Sequence, residues 1–283
     1  MATFTNAATL SYNGNTLVSN TVTGTLQELL TVSKTAVGGT YAPNGEAVFA
    51  VSLVNSGTAA LTGLTLNDNL GAYAYNTSTL YPLTYIDGSI QYYINGVLQA
   101  APTATAGPPL VISGINVPAG GNALLVYKAK VNEYAPPAQE STITNTVSVT
   151  GAGISAAVTD QAVITAQAAP ELRIIKSLSP TTVSDNGELT YTFTIENIGS
   201  SAADASAGIV LADTFNPILN PIAVTFNSAA WATPANYTYN SSTGAFSTVA
   251  GQITVPAATY TQDASGKWTL TPGSSTLVVT GTV

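Results

Sequence analysis

The chain has no cysteine and no histidine among its 283 residues. Disulfides, thiolate zinc sites and histidine-based acid–base catalysis are therefore excluded. Charge is nearly as scarce: Asp, Glu, Lys and Arg together make 7% of the sequence, with a formal net charge of −8. A sparse, net-negative surface argues against nucleic acid and anionic membrane as partners. No run approaches the ~18 continuous apolar residues of a membrane-spanning helix, so membrane insertion is not expected. The opening Met1-Ala2-Thr3-Phe4-Thr5-Asn6 has no basic segment leading into an apolar one. It does not read as a signal peptide. Helical periodicity is nearly missing as well.

What is present is β-sheet chemistry. Hydrophobic residues make 45% of the chain, enough to form cores. Short runs of Thr, Val, Ile and Tyr alternate with period two, between turns rich in Gly, Pro and Asn. Asn13-Gly14, Asn44-Gly45, Asn95-Gly96 and Asp87-Gly88 are hairpin-type dipeptides. The expected fold is all-β: two sandwich domains in tandem, immunoglobulin-like or transthyretin-like, preceded by an N-terminal β-hairpin.

The domain assignment comes from internal repeats. Lys34 to Gly57 aligns without a gap on Lys176 to Gly199, Lys leading by eleven residues a Gly-Glu pair and then an alternating strand that ends in Asn. Leu64 to Asp68 aligns on Ile209 to Asp213, and Leu125 to Val131 on Leu277 to Val283. The first repeat then continues with two strands, Thr142 to Val149 and Val158 to Thr165. The second shows no counterpart after Val283. Matching strands stand at the other end: Phe4 to Tyr12 aligns on Ile143 to Gly151, and Val18 to Thr25 on Val158 to Thr165. We therefore expect residues 1–27 to be donor strands, 28–168 a first sandwich domain, and 169–283 a second that lacks its last two strands.

A sandwich without two strands exposes core and an unpaired sheet edge. The hairpin could fold back onto its own second domain, or enter that of the next molecule and build an open head-to-tail chain. The short join near Gln27 disfavours the fold-back, because the hairpin must reach the far end of another domain. A trimmed piece of a longer repeat protein is the other possibility, and it predicts a monomer. The donor face would carry Phe4, Ala8, Leu10, Tyr12, Val18 and Val22.

Alternation also assigns polar groups to the core. Lys34 shares parity with Leu30 and Val32, and Lys176 with Leu172 and Ile174. Asp68 goes with Leu64 and Leu66, and Asp213 with Ile209 and Leu211. Asn145 goes with Ile143 and Val147, and Asn6 with Phe4, Ala8 and Leu10. Each domain aims one Lys, one Asp and one Asn inward, and a buried lone charge is costly. A plain Lys–Asp ion pair beside an Asn is one account. The other is an autocatalytic isopeptide bond between Lys and Asn, with the Asp as helper acid. On that account Lys34 joins Asn145 within the first domain, assisted by Asp68. Lys176 joins Asn6 of the neighbouring subunit, assisted by Asp213. Glu46 and Glu188 fit the helper role less well, because Glu188 falls on the solvent parity. Asn55 and Asn197 precede Gly and read as turn residues.

These blocks resemble the bacterial and archaeal surface-repeat family called Domain of Unknown Function 11. The resemblance is carried by Lys34, Gly45-Glu46, Asp68 and Asn145, then by Lys176, Gly187-Glu188 and Asp213, with Asn6 as the displaced closing Asn. It weakens over 71–116 and 216–270, which read as insertions. The resemblance implies a cell-surface, extracellular or spore-surface setting and no turnover enzyme. No cofactor and no metal are expected; the partners expected are further copies of the chain. A surface-repeat module acting as a monomeric adhesin is the rival reading. Tyr73, Tyr75, Tyr81, Tyr85, Tyr92 and Tyr93 cluster in the first insertion, where hairpin packing explains them more simply than a bound ligand.

Overall fold

The computed structural model describes residues 2–26 and 29–283. Met1, Gln27 and Glu28, and with them the join near Gln27, lie outside the described residues. The fold is all-β: among the described residues the only helical element is one short 3-10 turn, Ala205–Ala207. Two compact units are present. Unit 1 runs to Pro136 and takes in Thr142–Thr165; unit 2 comprises Pro137–Ser141 and Ala166–Val283.

The N-terminal residues make an interrupted hairpin of β1 (Ala2–Asn6), β2 (Thr9–Tyr12), β3 (Asn15–Val18) and β4 (Val22–Leu26). Strand β2 pairs with β3, and β1 with β4. Asn13-Gly14 closes the tip with both residues at positive φ, as a two-residue type I′ turn requires.

The rest of unit 1 is a sandwich. Its strands are β5 (Leu30–Val37), β6 (Thr40–Tyr41), β7 (Glu46–Asn55), β8 (Leu61–Asp68), the small hairpin β9 (Tyr73–Tyr75) and β10 (Ser78–Leu80), and β11 (Leu83–Tyr85). They continue as β12 (Gln91–Ile94), β13 (Val97–Gln99), β14 (Thr103–Thr105), β15 (Leu110–Val117), β16 (Asn122–Val131), β17 (Thr142–Thr150) and β18 (Val158–Ala166). One sheet has the order β13-β12-β16-β7-β5, with β11 also on β16; the other has the order β14-β15-β8-β17-β18-β6. Alternate residues of each strand meet between the sheets: Phe49, Val51, Leu125 and Tyr127 from one, Leu66, Ile112, Val147 and Val149 from the other, all buried. The stretch 71–116 is therefore only partly an insertion, because β12 and β15 are integral to the two sheets. Its tyrosines pack into the fold: Tyr85 and Tyr92 are buried, and the Tyr73 hydroxyl donates to the Tyr134 carbonyl at 2.7 Å.

Unit 2 is built from β19 (Leu172–Ser179), β20 (Glu188–Asn197), β21 (Ala212–Thr214), β22 (Ile222–Phe226), β23 (Ala229–Trp231), β24 (Tyr237–Asn240), β25 (Ala245–Thr248), β26 (Thr259–Gln262), β27 (Trp268–Thr271) and β28 (Gly273–Thr282). Its main sheet has the order β19-β20-β28-β22-β23. This repeats the β5-β7-β16-β12-β13 path of unit 1, and the registers agree. Lys34 pairs with Val51 and Lys176 with Phe193; Glu46 pairs with Lys130 and Glu188 with Thr282. Among the described residues the other strands of unit 2 form only the short arrays β21-β25-β24 and β26-β27, and Phe246 of β25 joins Tyr191 of the main sheet in one core through Phe215. Within the described residues of unit 2 no strand takes the places that β17 and β18 hold in unit 1.

Candidate functional site

In unit 1 the alternation of β5 sends Leu30, Val32 and Lys34 into the core. The Lys34 ammonium lies 4.9 Å from the centroid of the Phe49 ring and 6.0 Å from that of Tyr127. It donates to Asp68 Oδ2 at 2.6 Å, and neither side chain has any solvent exposure. Asp68 ends β8, where its Oδ1 accepts the Leu70 N–H at 2.8 Å. The Tyr127 hydroxyl also donates to Asp68 Oδ2, and Asn145 Nδ2 approaches the same oxygen at 3.4 Å. Asn145 Oδ1 is buried with no hydrogen-bond partner. A buried amide oxygen left unpaired beside a dense donor cluster is costly and calls for an explanation.

Burial holds the Lys34 pKa down to about 8 against the pull of Asp68, which favours the ammonium. Burial and the neighbouring Asp68 charge push the Tyr127 phenol well above its ordinary range, so it stays a proton donor. The Lys34 backbone N–H, on the free edge of β5, donates at 2.6 Å to Asp160 Oδ2 of β18. One side chain of the opposite sheet thereby fixes the strand that carries the lysine. Tyr127 and Asp160 were not singled out by the sequence. Tyr127 looks like one more core aromatic in a leucine-rich strand, and Asp160 sits on a strand edge where an acid usually faces water.

Unit 2 brings the corresponding residues together with a different outcome. Lys176 pairs with Asp213, and its ammonium lies 4.7 Å from the Tyr191 ring and 5.4 Å from the Phe193 ring. Parity puts both groups on the inward face, yet their side chains are 43% and 18% exposed. Parity fixes direction; it does not supply a cover. Every residue of β19 is exposed, Ile174 to 57%. Residues 209–211, counterparts of 64–66 in β8, join no ladder, and only Ala212–Thr214 is paired. An open groove of about 350 Å³ runs there, lined by Leu172, Ile174, Ile195, Ile209, Val210 and Leu211. Glu188 is exposed, and Glu46 is paired on the surface with Lys128. Asn55 and Asn197 are buried and use Oδ1 to accept the N–H of Gly57 and Gly199, holding turns.

The hairpin carries the complementary pattern. Asn6 pairs with Val22 and Phe4 with Gly24. In unit 1 Asn145 pairs with Ala162 and Ile143 with Ile164. Under the repeat alignment these are the same pairs, so β1–β4 has the register of β17–β18. The outer half differs. Leu10 pairs with Leu17 and Thr9 with Val18. Two residues, Ala7 and Ala8, face three, Ser19 to Thr21, which makes a bulge: the Ser19 N–H donates to the Ala8 carbonyl at 2.8 Å and the Ala8 N–H to Ser19 Oγ at 2.9 Å. An extra residue on one strand flips its later side chains. Leu17, rather than Val18, therefore shares the face of Leu10 and Tyr12. Phe4, Ala8, Leu10, Tyr12, Leu17, Val18 and Val22 are all exposed, Leu10 to 63%.

Among the described residues no group of three or more acidic side chains could hold a metal ion, and no helix is long and apolar enough to cross a membrane. No protein-family model and no curated protein sequence matches the chain. Solved structures do match. The major pilin subunit of Bacillus cereus, in its D312A form, is 10% identical with a TM-score of 0.39, covering 93% of this chain and 70% of the pilin. The pilus backbone protein RrgB of Streptococcus pneumoniae is 11% identical with a TM-score of 0.34, covering 86% of this chain and 55% of RrgB. A family 123 glycoside hydrolase of Clostridium perfringens is 10% identical with a TM-score of 0.32, and this chain spans 27% of its length.

Proposed function

We propose that the chain is the structural subunit of an extracellular or spore-surface fibre, assembled head to tail by strand donation and locked by Lys–Asn isopeptide bonds. The observation that carries this reading is the shared register of β1–β4 and β17–β18. In unit 1, β17 lies on β8 with Val149 opposite Leu66 and Val147 opposite Asp68. The same rule applied to unit 2 sets Leu10 of a second copy opposite Leu211, and Ala8 opposite Asp213. Asn6 then stands to Lys176 as Asn145 stands to Lys34. Docking would cover Ile174, Leu172 and the exposed face of the hairpin together, which is the apolar burial that drives strand addition.

The chemistry proposed is the same at both sites. A proton passes from the lysine Nζ to the aspartate Oδ2, across 2.6 Å in unit 1. That exchange replaces an ion pair by two neutral groups, which a low-dielectric interior favours. The neutral amine attacks the asparagine Cγ, while the protonated carboxyl, once the amide has turned its unpartnered Oδ1 in place of Nδ2 toward Asp68, donates to that oxygen. The Cγ–Nδ2 bond breaks, the nitrogen leaves as ammonia with the second proton shed by Nζ, and the aspartate takes back the proton lent to Oδ1 and ends as the neutral acid. Each site reacts once, so the product is a cross-link and not a turnover.

The test uses the full chain. After boiling in denaturant, electrophoresis is expected to show a ladder of subunit multiples, and electron microscopy to show fibres. A peptide joining Lys176 to Asn6 is expected to be lighter by one ammonia. If Asn6→Ala removes the ladder but leaves fibres, donation holds and its bond is lost as proposed. A single band with no fibres under all conditions refutes the assembly and leaves a monomeric surface module.

A further inference from the structure

Beneath each lysine two positions face each other across adjacent strands, and at least one of them carries an aromatic ring. In unit 1 the pair is Phe49 on β7 opposite Tyr127 on β16. In unit 2 the same positions are Tyr191 on β20 opposite Val279 on β28. The phenol has changed strands. Packing alone does not require it at either place, since Phe49 and Val279 fill their positions without a hydroxyl. Each unit nonetheless keeps one phenol, next to its Lys–Asp pair. In unit 1 Tyr127 is wholly buried and donates to the oxygen of Asp68 that also takes the Lys34 ammonium. In unit 2 Tyr191 stacks on Phe215, two residues beyond Asp213, with ring centroids 5.0 Å apart.

We infer that this phenol is a positioning residue for the cross-link: Tyr127 orients the helper carboxyl of Asp68 in unit 1, and Tyr191 does the same for Asp213 once a donor hairpin has closed unit 2. The inference rests on the isopeptide reading above. The Leu70 N–H on Oδ1 and the phenol on Oδ2 hold the carboxyl of Asp68 at both oxygens. Its acidic proton is then held toward the asparagine. The phenol loses no proton in the reaction, so the balance is unchanged: one amine and one carboxamide give one secondary amide and one ammonia.

The test follows ammonia loss at the Lys34–Asn145 peptide over time, by mass spectrometry of full-length chain made by cell-free synthesis. Tyr127→Phe is expected to slow the bond about tenfold, the effect of losing one buried charge-assisted hydrogen bond, and to alter the pH–rate profile. The isosteric double variant Phe49→Tyr with Tyr127→Phe recreates the unit 2 arrangement and is expected to recover most of the rate. Circular dichroism must show the native spectrum for both. Tyr191→Phe is expected to slow the appearance of the ladder by a similar factor. Wild-type kinetics in Tyr127→Phe, or a folded double variant that recovers nothing, overturns the positioning role while the cross-link stands. A wild-type chain that never loses ammonia overturns both.

Discussion

Substituting Asn145 by Ala removes the electrophile and leaves Lys34 as a free amine in its cavity. The lysine then becomes a pH sensor of unit 1. Its pKa is about 8 when folded and 10.5 when exposed by unfolding. A depressed folded pKa means that the native state binds its proton less tightly than the unfolded state does. The resulting stability is present above the unfolded pKa and is lost as pH falls through the folded one. Between about pH 6.5 and 9.5 the linkage amounts to about 2 kcal/mol, rising with pH. With a urea dependence of about 2 kcal/mol per molar, the midpoint should climb by about 1 M over that interval. Both tryptophans, Trp231 and Trp268, belong to unit 2. Unit 1 is therefore followed as the circular-dichroism transition that has no counterpart in tryptophan fluorescence. In the wild type the proposed cross-link would consume the amine, and the rise should then be absent. It should also vanish when Lys34→Met is added to Asn145→Ala. A midpoint in Asn145→Ala that stays flat or falls over the same range would refute the claim that Lys34 is held in a desolvated site.

Asp68→Ala leaves the Lys34 ammonium against Phe49 and Tyr127 without its paired carboxylate, only Asp160 still acting on it. The expected cost is about 3–5 kcal/mol of unit 1 stability together with loss of the Lys34–Asn145 bond; urea unfolding and peptide mass measure the two. Gly24 permits the Phe4 ring to lie flat across β4, where any Cβ would collide with it. Gly24→Val should therefore displace Phe4 and abolish fibres by electron microscopy while leaving both melting transitions in place. Ile174→Ser, on the open face of β19, should weaken docking by about 1–2 kcal/mol, roughly tenfold in the concentration needed for assembly, with little change in the stability of the undocked chain.

Much of this arrangement is legible in the residues, and the reasons are specific. The gapless match of Lys34–Gly57 to Lys176–Gly199 reappears as identical strand registers, because a two-residue side-chain period ties sequence spacing to facing pairs. Parity alone sends Lys34, Asp68 and Asn145 to one buried point. Three things were not legible. How far Lys176 is left open to solvent depends on the cover that β19 and 209–211 retain, which side-chain parity does not specify. The bulge at Ser19 to Thr21 depends on one hydroxyl finding the Ala8 N–H, which no hydrophobic pattern encodes. The grip of Asp160 on the Lys34 amide joins two sheets across 126 positions of sequence. Charge placement on a strand edge does not reveal such a partner.

In the proposed fibre the position of Lys34 in β5, the first strand of the sandwich, and of Asn145 in β17, the last but one, would have a mechanical meaning. Tension along a fibre would enter unit 1 through β5 and leave through β17 and β18. A covalent bond between those two strands diverts the pull around everything from 35 to 144. The bond from Lys176 to Asn6 of the next subunit would do the same for all that follows 176. The pulling force would then be borne by two short stretches of each subunit, 6–34 and 145–176. The tyrosine-rich stretch 71–116 and the stretch 216–270 hang outside that line. Apart from β12, β15 and β22, which belong to the main sheets, those stretches could vary in length or surface chemistry without altering the line that carries the load.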